Sequence, residues 1–294
     1  MRHSVKIFSR IGELLQGILP DGSHFLVSGL PSRHFFSEAI IEDAAVRATP
    51  ADAAMPMTVD LPPKASQALY AFLAAHGKRK ELSGKAIRLH SNIPPGKGLS
   101  SSSTDILSVL SVVNDHLQTG LSEAGLYALA ATIEPTDPCL SDDIVLFRQH
   151  KGITDCRISL PPVSMIWFDG APGRKVDTVG FERSYDADAA ARFASLLDGF
   201  MAAAEQGDYT GLFDGITQSA LYNQAILPLP DFDDYHRLAI RTGAGLMVAH
   251  SGTIIGLLTR PGEYNALLPA VVSMTAGRLL QTEHYSFNPT ISLC

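Results

Sequence analysis

Short apolar runs separated by turn residues fill the first sixty residues of the chain. They lie at 5–8, 24–27, 37–41 and 57–61, and their length and spacing are typical of β-strands. Gly12 and Gly17 bracket a predicted turn after the first run. We therefore expect an antiparallel or mixed sheet in this part of the chain.

Apolar residues recur at helical spacing in four later segments, which lie at 64–76, 102–117, 189–204 and about 209–225. Gly77 is a suitable C-terminal stop for the first of these helices, and Ser122 is a suitable N-cap for a further helix over 122–131. Predicted strands lie at 86–90, 144–147 and 163–168. The apolar stretch 243–258 predicts two strands that meet in a tight hairpin at 251–253.

The segment 94–105 carries the first candidate chemistry. It reads as a strand end, a glycine-rich turn and a helix start, and its glycines allow backbone amides to approach a ligand closely. The hydroxyl run Ser100–Thr104 lies where the first turn of the helix leaves N–H groups unpaired, an arrangement that binds phosphate. A helix N-cap after an ordinary turn is the simpler interpretation. An N-cap uses only one hydroxyl side chain, however, and this run offers several. Lys97 lies between the two glycines, so the segment is not a Walker A loop.

A second candidate segment, Glu134-Pro-Thr-Asp137, places two carboxylates at a helix end that prolines interrupt. Charged residues at helix ends are commonly just solvated. A bound triphosphate, however, requires a hard cation such as Mg²⁺ held by one or two carboxylates. The phosphate loop therefore predicts an acidic partner elsewhere in the same domain, and Glu134 and Asp137 are candidates.

Composition narrows the classes of protein. The 294 residues, 46% of them hydrophobic, suffice for two modest domains, and we place the boundary between 157 and 158. A net charge of −7 with scattered Lys and Arg gives no basic surface for nucleic acid. No apolar run approaches the roughly 20 residues that span a bilayer, and the first residues lack the apolar core of a signal peptide. We expect a soluble, cytoplasmic protein with three free thiols, at Cys139, Cys156 and Cys294.

Three segments together resemble the GHMP kinases, the family of galactokinase, homoserine kinase, mevalonate kinase and phosphomevalonate kinase. The family's phosphate-loop pattern P-x-x-x-G-L-x-S-S is met by Pro94, Gly98, Leu99, Ser101 and Ser102. Residues 9–17 resemble its first motif, and residues 243–256 its third. The sequences G-E-L-L-Q-G and E-P-T-D are similar to the branch that contains the L-threonine kinases of cobalamin biosynthesis.

The resemblance implies an α+β fold of two domains. Residues 1–157 would form an ATP-binding domain like ribosomal protein S5 domain 2, and residues 158–294 a ferredoxin-like domain. The implied activity is ATP-dependent phosphorylation of the side-chain hydroxyl of L-threonine, with ATP and Mg²⁺ as cofactors. A homoserine kinase or another GHMP alcohol kinase is the close alternative, and a ligand-binding or regulatory protein without catalysis is the alternative from another class. The implied partner is a small alcohol or amino acid, and a homodimer is the candidate assembly.

The resemblance also assigns residues. The phosphates would be held by Pro95, Gly96, Lys97, Gly98, Leu99, Ser100, Ser101, Ser102, Ser103 and Thr104, with Lys97 either adding charge or remaining solvated. Ser102 and Glu134 would bind the metal. The chain departs from the family's spacing between this glutamate and the catalytic aspartate, so Asp137 is the preferred candidate and Asp142 or Asp143 the alternatives. The expected substrate residues are Glu13, Gln16, Ser251, Gly252 and Thr253, while His250 is expected to be structural.

Overall fold

The computed structural model describes residues 2–44, 57–59, 61–176, 185–186, 188–275 and 280–285. Two residues of the sequence predictions, Asp60 and Cys294, lie outside these ranges. The described strands are β1 (His3–Ile18), β2 (His24–Asp43), β3 (Met57–Val59), β4 (Lys85–Ser91), β5 (Ile144–Arg148), β6 (Ile153–Ile158), β7 (Val163–Asp169), β8 (Gly245–Val248), β9 (Ile254–Thr259) and β10 (Leu280–Tyr285).

The helices are α1 (Pro63–His76), α2 (Ser101–Leu117), α3 (Glu123–Ala131), α4 (Ala189–Gln206), α5 (Tyr209–Ile226), α6 (Phe232–Thr242) and α7 (Tyr264–Met274), and a short 3₁₀ helix covers Arg79–Leu82. The four helices predicted from apolar periodicity are present within a few residues of their expected ends. In the described part of the chain, no helix combines the length and the apolar character that a membrane span requires.

Strand β1 is longer than predicted, because it continues through the segment in which we expected a turn. It pairs antiparallel with the 20-residue strand β2 from His3 to Ile18. Gly12 has φ +55°, and the register shifts between Glu13 and Leu15. The glycine thus produces an irregularity inside the strand instead of ending it, and the prediction of a turn between Gly12 and Gly17 is wrong.

One sheet runs through both predicted domains. Its order is β10-β7-β9-β8-β1-β2-β4-β3, with β5 on β2 and β6 on β5. The described pairs are antiparallel except β3 and β4, which are parallel, so the expected antiparallel or mixed sheet is confirmed. Strand β1 joins the two parts through Glu13 and Val248. The boundary at 157/158 stays a prediction.

The helices of the N-terminal part pack on one another and on the sheet. Helix α1 begins with a proline, and Gly77 ends it in the left-handed conformation with its N–H bonded to the Leu73 carbonyl. Ser122 caps α3 by accepting a hydrogen bond from Gly125. Helix α2 lies beneath them and is almost entirely buried from Ile106 to Val113. It is therefore a rigid support for the loop that precedes it.

One apolar cluster lies where the two parts of the chain meet. It combines β1 and β2 residues such as Leu14 and Phe25 with Trp167 of β7 and Phe193 of α4. A separate cluster holds α5, α6 and α7 against β7, β8 and β9. The phosphate loop contributes Leu99, which is 1% exposed, to the shared cluster. Folding of the loop is thus coupled to contact between the two parts of the chain.

The cysteine prediction is confirmed at one position and wrong at another. Cys139 is a buried free thiol, and burial raises its pKa to about 12. Cys156 takes part in a disulfide bond.

Candidate active site

The phosphate loop has the backbone that its glycines predict. Gly96 and Gly98 have φ of +71° and +84°, and Ser100 has φ +52°, a conformation that residues with a side chain adopt rarely. Ser100 is the N-cap of α2, and its side chain makes no capping hydrogen bond. The first-turn N–H groups of this 17-residue helix therefore lack a serine cap and present the positive end of the helix dipole. This geometry fits a phosphate.

The three motif segments meet at the backbone of the loop. The Gly12 N–H donates to the Gly98 carbonyl at 3.1 Å, and the Thr253 and Ile254 N–H groups donate to the Lys97 carbonyl at 2.9 and 3.1 Å. A Cβ at Gly252 would lie 2.2 Å from the Lys97 carbonyl oxygen, and one at Gly98 would lie 2.0 Å from the Ala249 Cβ. Glycine is required at both positions because the loop and the segment 249–252 are in direct contact.

The Lys97 side chain binds the C-terminal part of the chain. Its ammonium lies 2.7 Å from an Asp169 carboxylate oxygen and donates to the carbonyls of Ala171, Pro172 and Arg174. The side chain is 11% exposed, so the alternative of a solvated lysine is wrong. Asp169 also accepts a hydrogen bond from the Thr253 hydroxyl at 2.6 Å. Lys97 and Thr253, predicted as phosphate and substrate residues, therefore both have side-chain partners within the protein.

Asp137 lies against the first turn of α2. Its backbone N–H donates to the Ser103 hydroxyl at 2.9 Å, and the same hydroxyl lies 3.4 Å from its carboxylate. Burial raises the pKa of Asp137 to about 7, and the charges of Glu13 and Glu134 add to this, while hydrogen bonds with Ser100 and Ser103 oppose it. A carboxylate that gains and loses its proton near neutral pH is suited to general base chemistry.

Glu134 follows α3 and carries one carboxylate oxygen that lacks a partner. Its Oε2 forms an ion pair with the Lys64 ammonium, at the start of α1. Its Oε1 is buried and makes no hydrogen bond, an arrangement that leaves a costly unsatisfied acceptor. The charge of Glu134 also acts on Asp105 of α2, whose pKa is raised chiefly by burial. Glu134 therefore lies close to the helix that carries Ser102.

These residues fit a Mg²⁺ ion bound together with phosphates. The orphaned Glu134 oxygen is a hard anionic ligand, and Ser102 in the first turn of α2 offers a hydroxyl. Among the described residues, no group of three or more His, Cys, Asp or Glu side chains is arranged to hold a metal. A cation here would take its remaining ligands from phosphate and water, as Mg²⁺ commonly does.

Glu13 and Gln16 of β1 belong to a buried polar network. The Glu13 carboxylate accepts the His250 N–H at 2.8 Å and lies 3.3 Å from Nδ1 of the His250 ring. Nε2 of that ring lies 3.0 Å from the Ser219 hydroxyl of α5. Gln16 donates its backbone N–H to Ser219 and its side-chain amide to Gln149. The structure thus brings both predicted β1 residues together with Gln149, α5 and the turn before β9.

The alternative aspartates are placed differently from Asp137. Asp142 is exposed. The Asp143 carboxylate pairs with Arg157 at 3.1 Å, and its carbonyl accepts from Arg10 at 2.7 Å. Arg10 is 2% exposed and also donates to the carbonyls of Gly29, Pro138 and Ser141. Arg10 therefore fixes the segment that follows Asp137.

Sequence reasoning missed Lys64, Arg10, Asp169 and Ser219. Lys64 opens a helix, and no local pattern marks a lysine there as a partner of Glu134. Arg10 lies inside the first motif, but its partners Pro138, Ser141 and Asp143 are about 130 residues away. Ser251, predicted as a substrate residue, is partly exposed beside the buried Gly252, and its role stays a prediction.

The chain is similar in sequence to known proteins. Residues 64–147 match the model of the GHMP kinases N terminal domain. The L-threonine kinase of Citrobacter freundii is 30% identical over 178 residues, which cover 58% of this chain and 61% of that protein. The L-threonine kinase of Salmonella typhimurium is 28% identical over 254 residues, which cover 84% of this chain and 79% of that protein.

The fold has solved counterparts as well. The crystal structure of a homoserine kinase from Cytophaga hutchinsonii superimposes with a TM-score of 0.63 at 17% identity, covering 99% of this chain and 97% of that one. The predicted family resemblance and the predicted α+β fold are both confirmed. Residues 64–147 are thus similar to the N-terminal domain of the GHMP kinases, and the chain has the fold of that homoserine kinase structure.

Proposed function

We propose that this protein is an ATP-dependent kinase that phosphorylates the side-chain hydroxyl of L-threonine to give O-phospho-L-threonine. One observation carries the proposal: the uncapped N-terminus of α2, which fits a phosphate, directly contacts Asp137 through Ser103. The two L-threonine kinases with 28 to 30% identity support the choice of substrate. The product would serve the cobalamin side chain, as the sequence resemblance implies.

The loop residues 95–104 would hold the phosphates of ATP through backbone N–H groups. Gly98 and Gly252 keep side chains out of the junction between this loop and the turn before β9. The loop is braced by Gly12, Thr253 and Ile254, so its amides are fixed in place before a nucleotide binds. Fixed donors cost little reorganisation when charge develops during the reaction.

Ser102 and Glu134 would hold Mg²⁺, which neutralises phosphate charge when bound. Lys64 adds a second cation beside Glu134. Without such cations, the Glu13, Glu134 and Asp137 carboxylates would repel a triphosphate.

Asp137 would accept the proton of the substrate hydroxyl. In the transfer, the hydroxyl oxygen forms a bond to the γ-phosphorus, and the bond from that phosphorus to the oxygen bridging to the β-phosphate breaks. The products are ADP and the phosphate ester, and the proton passes to the Asp137 carboxylate. The pKa near 7 allows that carboxylate to accept a proton and release it again at neutral pH.

An ADP-release assay with L-threonine, L-serine, L-homoserine, mevalonate and galactose tests the substrate. We expect kcat/KM to be highest for L-threonine. Preference for L-homoserine would favour the homoserine kinase alternative, which the superposition with the Cytophaga enzyme supports. Tight binding of ATP without turnover of any alcohol would identify a non-catalytic protein and overturn the proposal.

A further inference from the structure

Two amide side chains near the candidate active site are buried and carry polar atoms that lack hydrogen-bond partners. Asn223 of α5 is 2% exposed, and both its Oδ1 and its Nδ2 lack a partner. Gln16 of β1 is 7% exposed, and its Oε1 also lacks one. Buried polar groups in folded proteins are nearly always hydrogen-bonded. The three unpartnered atoms of these two amides therefore require an explanation.

The two amides lie in the same region. The Gln16 N–H donates to the Ser219 hydroxyl at 3.3 Å, and Asn223 follows Ser219 by four residues on the buried face of α5. Residues four apart on a helix have Cβ atoms about 5–6 Å apart. The next residue of β1, Gly17, contacts the Phe193 ring, which packs on Tyr222 at 5.3 Å. These contacts hold this part of α5 against β1.

The same region adjoins the residues proposed to act on the substrate hydroxyl. Ser219 is connected through His250 to Glu13, whose charge acts on Asp137. Gln149 connects the two sides: it accepts from the Gln16 amide, and its carbonyl accepts from Thr136, next to Asp137. A small molecule bound at the amides would have its other end near Asp137.

The unpartnered atoms define the ligand that would satisfy them. Oδ1 of Asn223 and Oε1 of Gln16 are acceptors, which suit an ammonium group. Nδ2 of Asn223 is a donor, which suits a carboxylate. A compound that presents both charged groups beside a hydroxyl is a hydroxy amino acid.

We propose that Asn223 and Gln16 bind the α-ammonium and α-carboxylate groups of the amino acid acceptor. This inference rests on the proposed function. The orphaned atoms are shielded from solvent, so neighbouring side chains must shift to admit the amino acid. The free protein carries an unfavourable buried amide, and the bound substrate removes that penalty.

A ligand-binding role and a structural role predict opposite changes in stability. Replacing a buried, unpartnered amide with an apolar group of similar size removes a desolvation penalty, so Asn223→Leu should raise Tm in the absence of substrate. A structural amide would lower Tm when replaced. Gln224 is the matched control, because its amide is fully paired with the Leu229 N–H and carbonyl. Gln224→Leu should lower Tm and leave the KM for L-threonine unchanged.

The kinetic experiment measures ADP release by the wild type, Asn223→Leu, Gln16→Leu and Gln224→Leu. We expect the first two variants to raise the KM for L-threonine about 10- to 100-fold, the loss typical of a hydrogen bond to a charged group. The KM for ATP should change less than about threefold. With 1-amino-2-propanol, which lacks the carboxylate, or 3-hydroxybutyrate, which lacks the ammonium, the effect of Asn223→Leu should be smaller.

The outcomes separate this inference from the proposed function. If the wild type phosphorylates L-threonine and both variants keep its KM, the amide site is wrong while the function stands. An Asn223→Leu protein with lower Tm and unchanged KM also overturns the site. If the wild type turns over no amino acid, the proposed function fails and this inference fails with it.

Discussion

Asp137 makes the strongest residue-level prediction, because its pKa lies near 7. A base must be ionised to accept a proton, so kcat/KM for the alcohol should rise with pH up to about 7 and then level off. Initial rates from about pH 5.5 to 8.5 at saturating MgATP test this. Asp137→Asn should lower kcat about 10²- to 10⁴-fold and flatten the acidic side of the profile. A wild-type profile that is already flat across this range would exclude Asp137 as the base.

The same carboxylate should make stability fall as pH rises, whereas activity should increase. Its folded-state pKa of about 7 lies above the ordinary 3.8, so the folded chain binds the proton more tightly than the unfolded chain between these two values. The contribution of this group to stability is therefore greatest at low pH and falls as pH rises through that window. Asp137 must be ionised to act as a base near neutral pH. Its ionisation lowers the stability of the free protein.

A second residue-level prediction concerns Glu134 and its unpartnered oxygen. Glu134→Gln keeps the shape but removes the anionic ligand, so kcat/KM for MgATP should fall about 100-fold or more. Activity should also require higher Mg²⁺, measured as the metal concentration that gives half-maximal rate. The control is Glu123→Gln, an exposed carboxylate at the start of α3, which should leave both quantities unchanged. A Glu134→Gln protein with normal metal dependence would contradict the metal assignment.

At the level of elements, features set by local sequence could be predicted more fully than features set by long-range contacts. The limits of α1 follow from a proline, an apolar face and Gly77, all close together in the chain. Strand β1 was misjudged because its pairing with the distant part of β2 outweighs the local preference of Gly12 for a turn. The partner of Glu134 could not be predicted either, since Lys64 lies 70 residues away.

Arg10 gives the element-level prediction, because one buried guanidinium holds the segment 138–143 to β1 and β2. Arg10→Lys keeps the charge, but its three donors cannot replace a planar fork that reaches four carbonyls. We expect a loss of about 2–4 kcal/mol in the free energy of unfolding, measured in urea. The kcat should fall more than the KM for ATP rises, because Asp137 moves and the phosphate loop stays in place.

Arg157→Lys is the control for this experiment. Arg157 pairs with the Asp143 carboxylate at the surface, with 53% of its side chain exposed, and such pairs contribute about 0–1 kcal/mol. Its replacement should change neither stability nor kcat appreciably. Equal effects of the two substitutions would mean that Asp137 does not depend on Arg10.

At the scale of the whole molecule, the candidate site exists because β1 and the turn before β9 meet at the phosphate loop. Sequence motifs predicted which segments would be involved. They could not predict that Lys97 turns to Asp169 and that Gly252 lies on the loop backbone, because both contacts depend on how the sheet continues from β1 into β8. The phosphate loop is thus held by the C-terminal part of the chain as well as by its own helix.

Gly252 tests this dependence. A Cβ added at this position would lie 2.2 Å from backbone atoms of Lys97 and Gly98, so Gly252→Ala must separate the turn from the loop. We expect the KM for ATP to rise at least about tenfold and stability to fall by about 1–3 kcal/mol. Gly199→Ala is the matched control: a Cβ there meets nothing within 4 Å in helix α4, so stability should increase by about 0.5–1 kcal/mol. If Gly252→Ala bound and used ATP as the wild type does, the loop would not need its contact with the C-terminal turn.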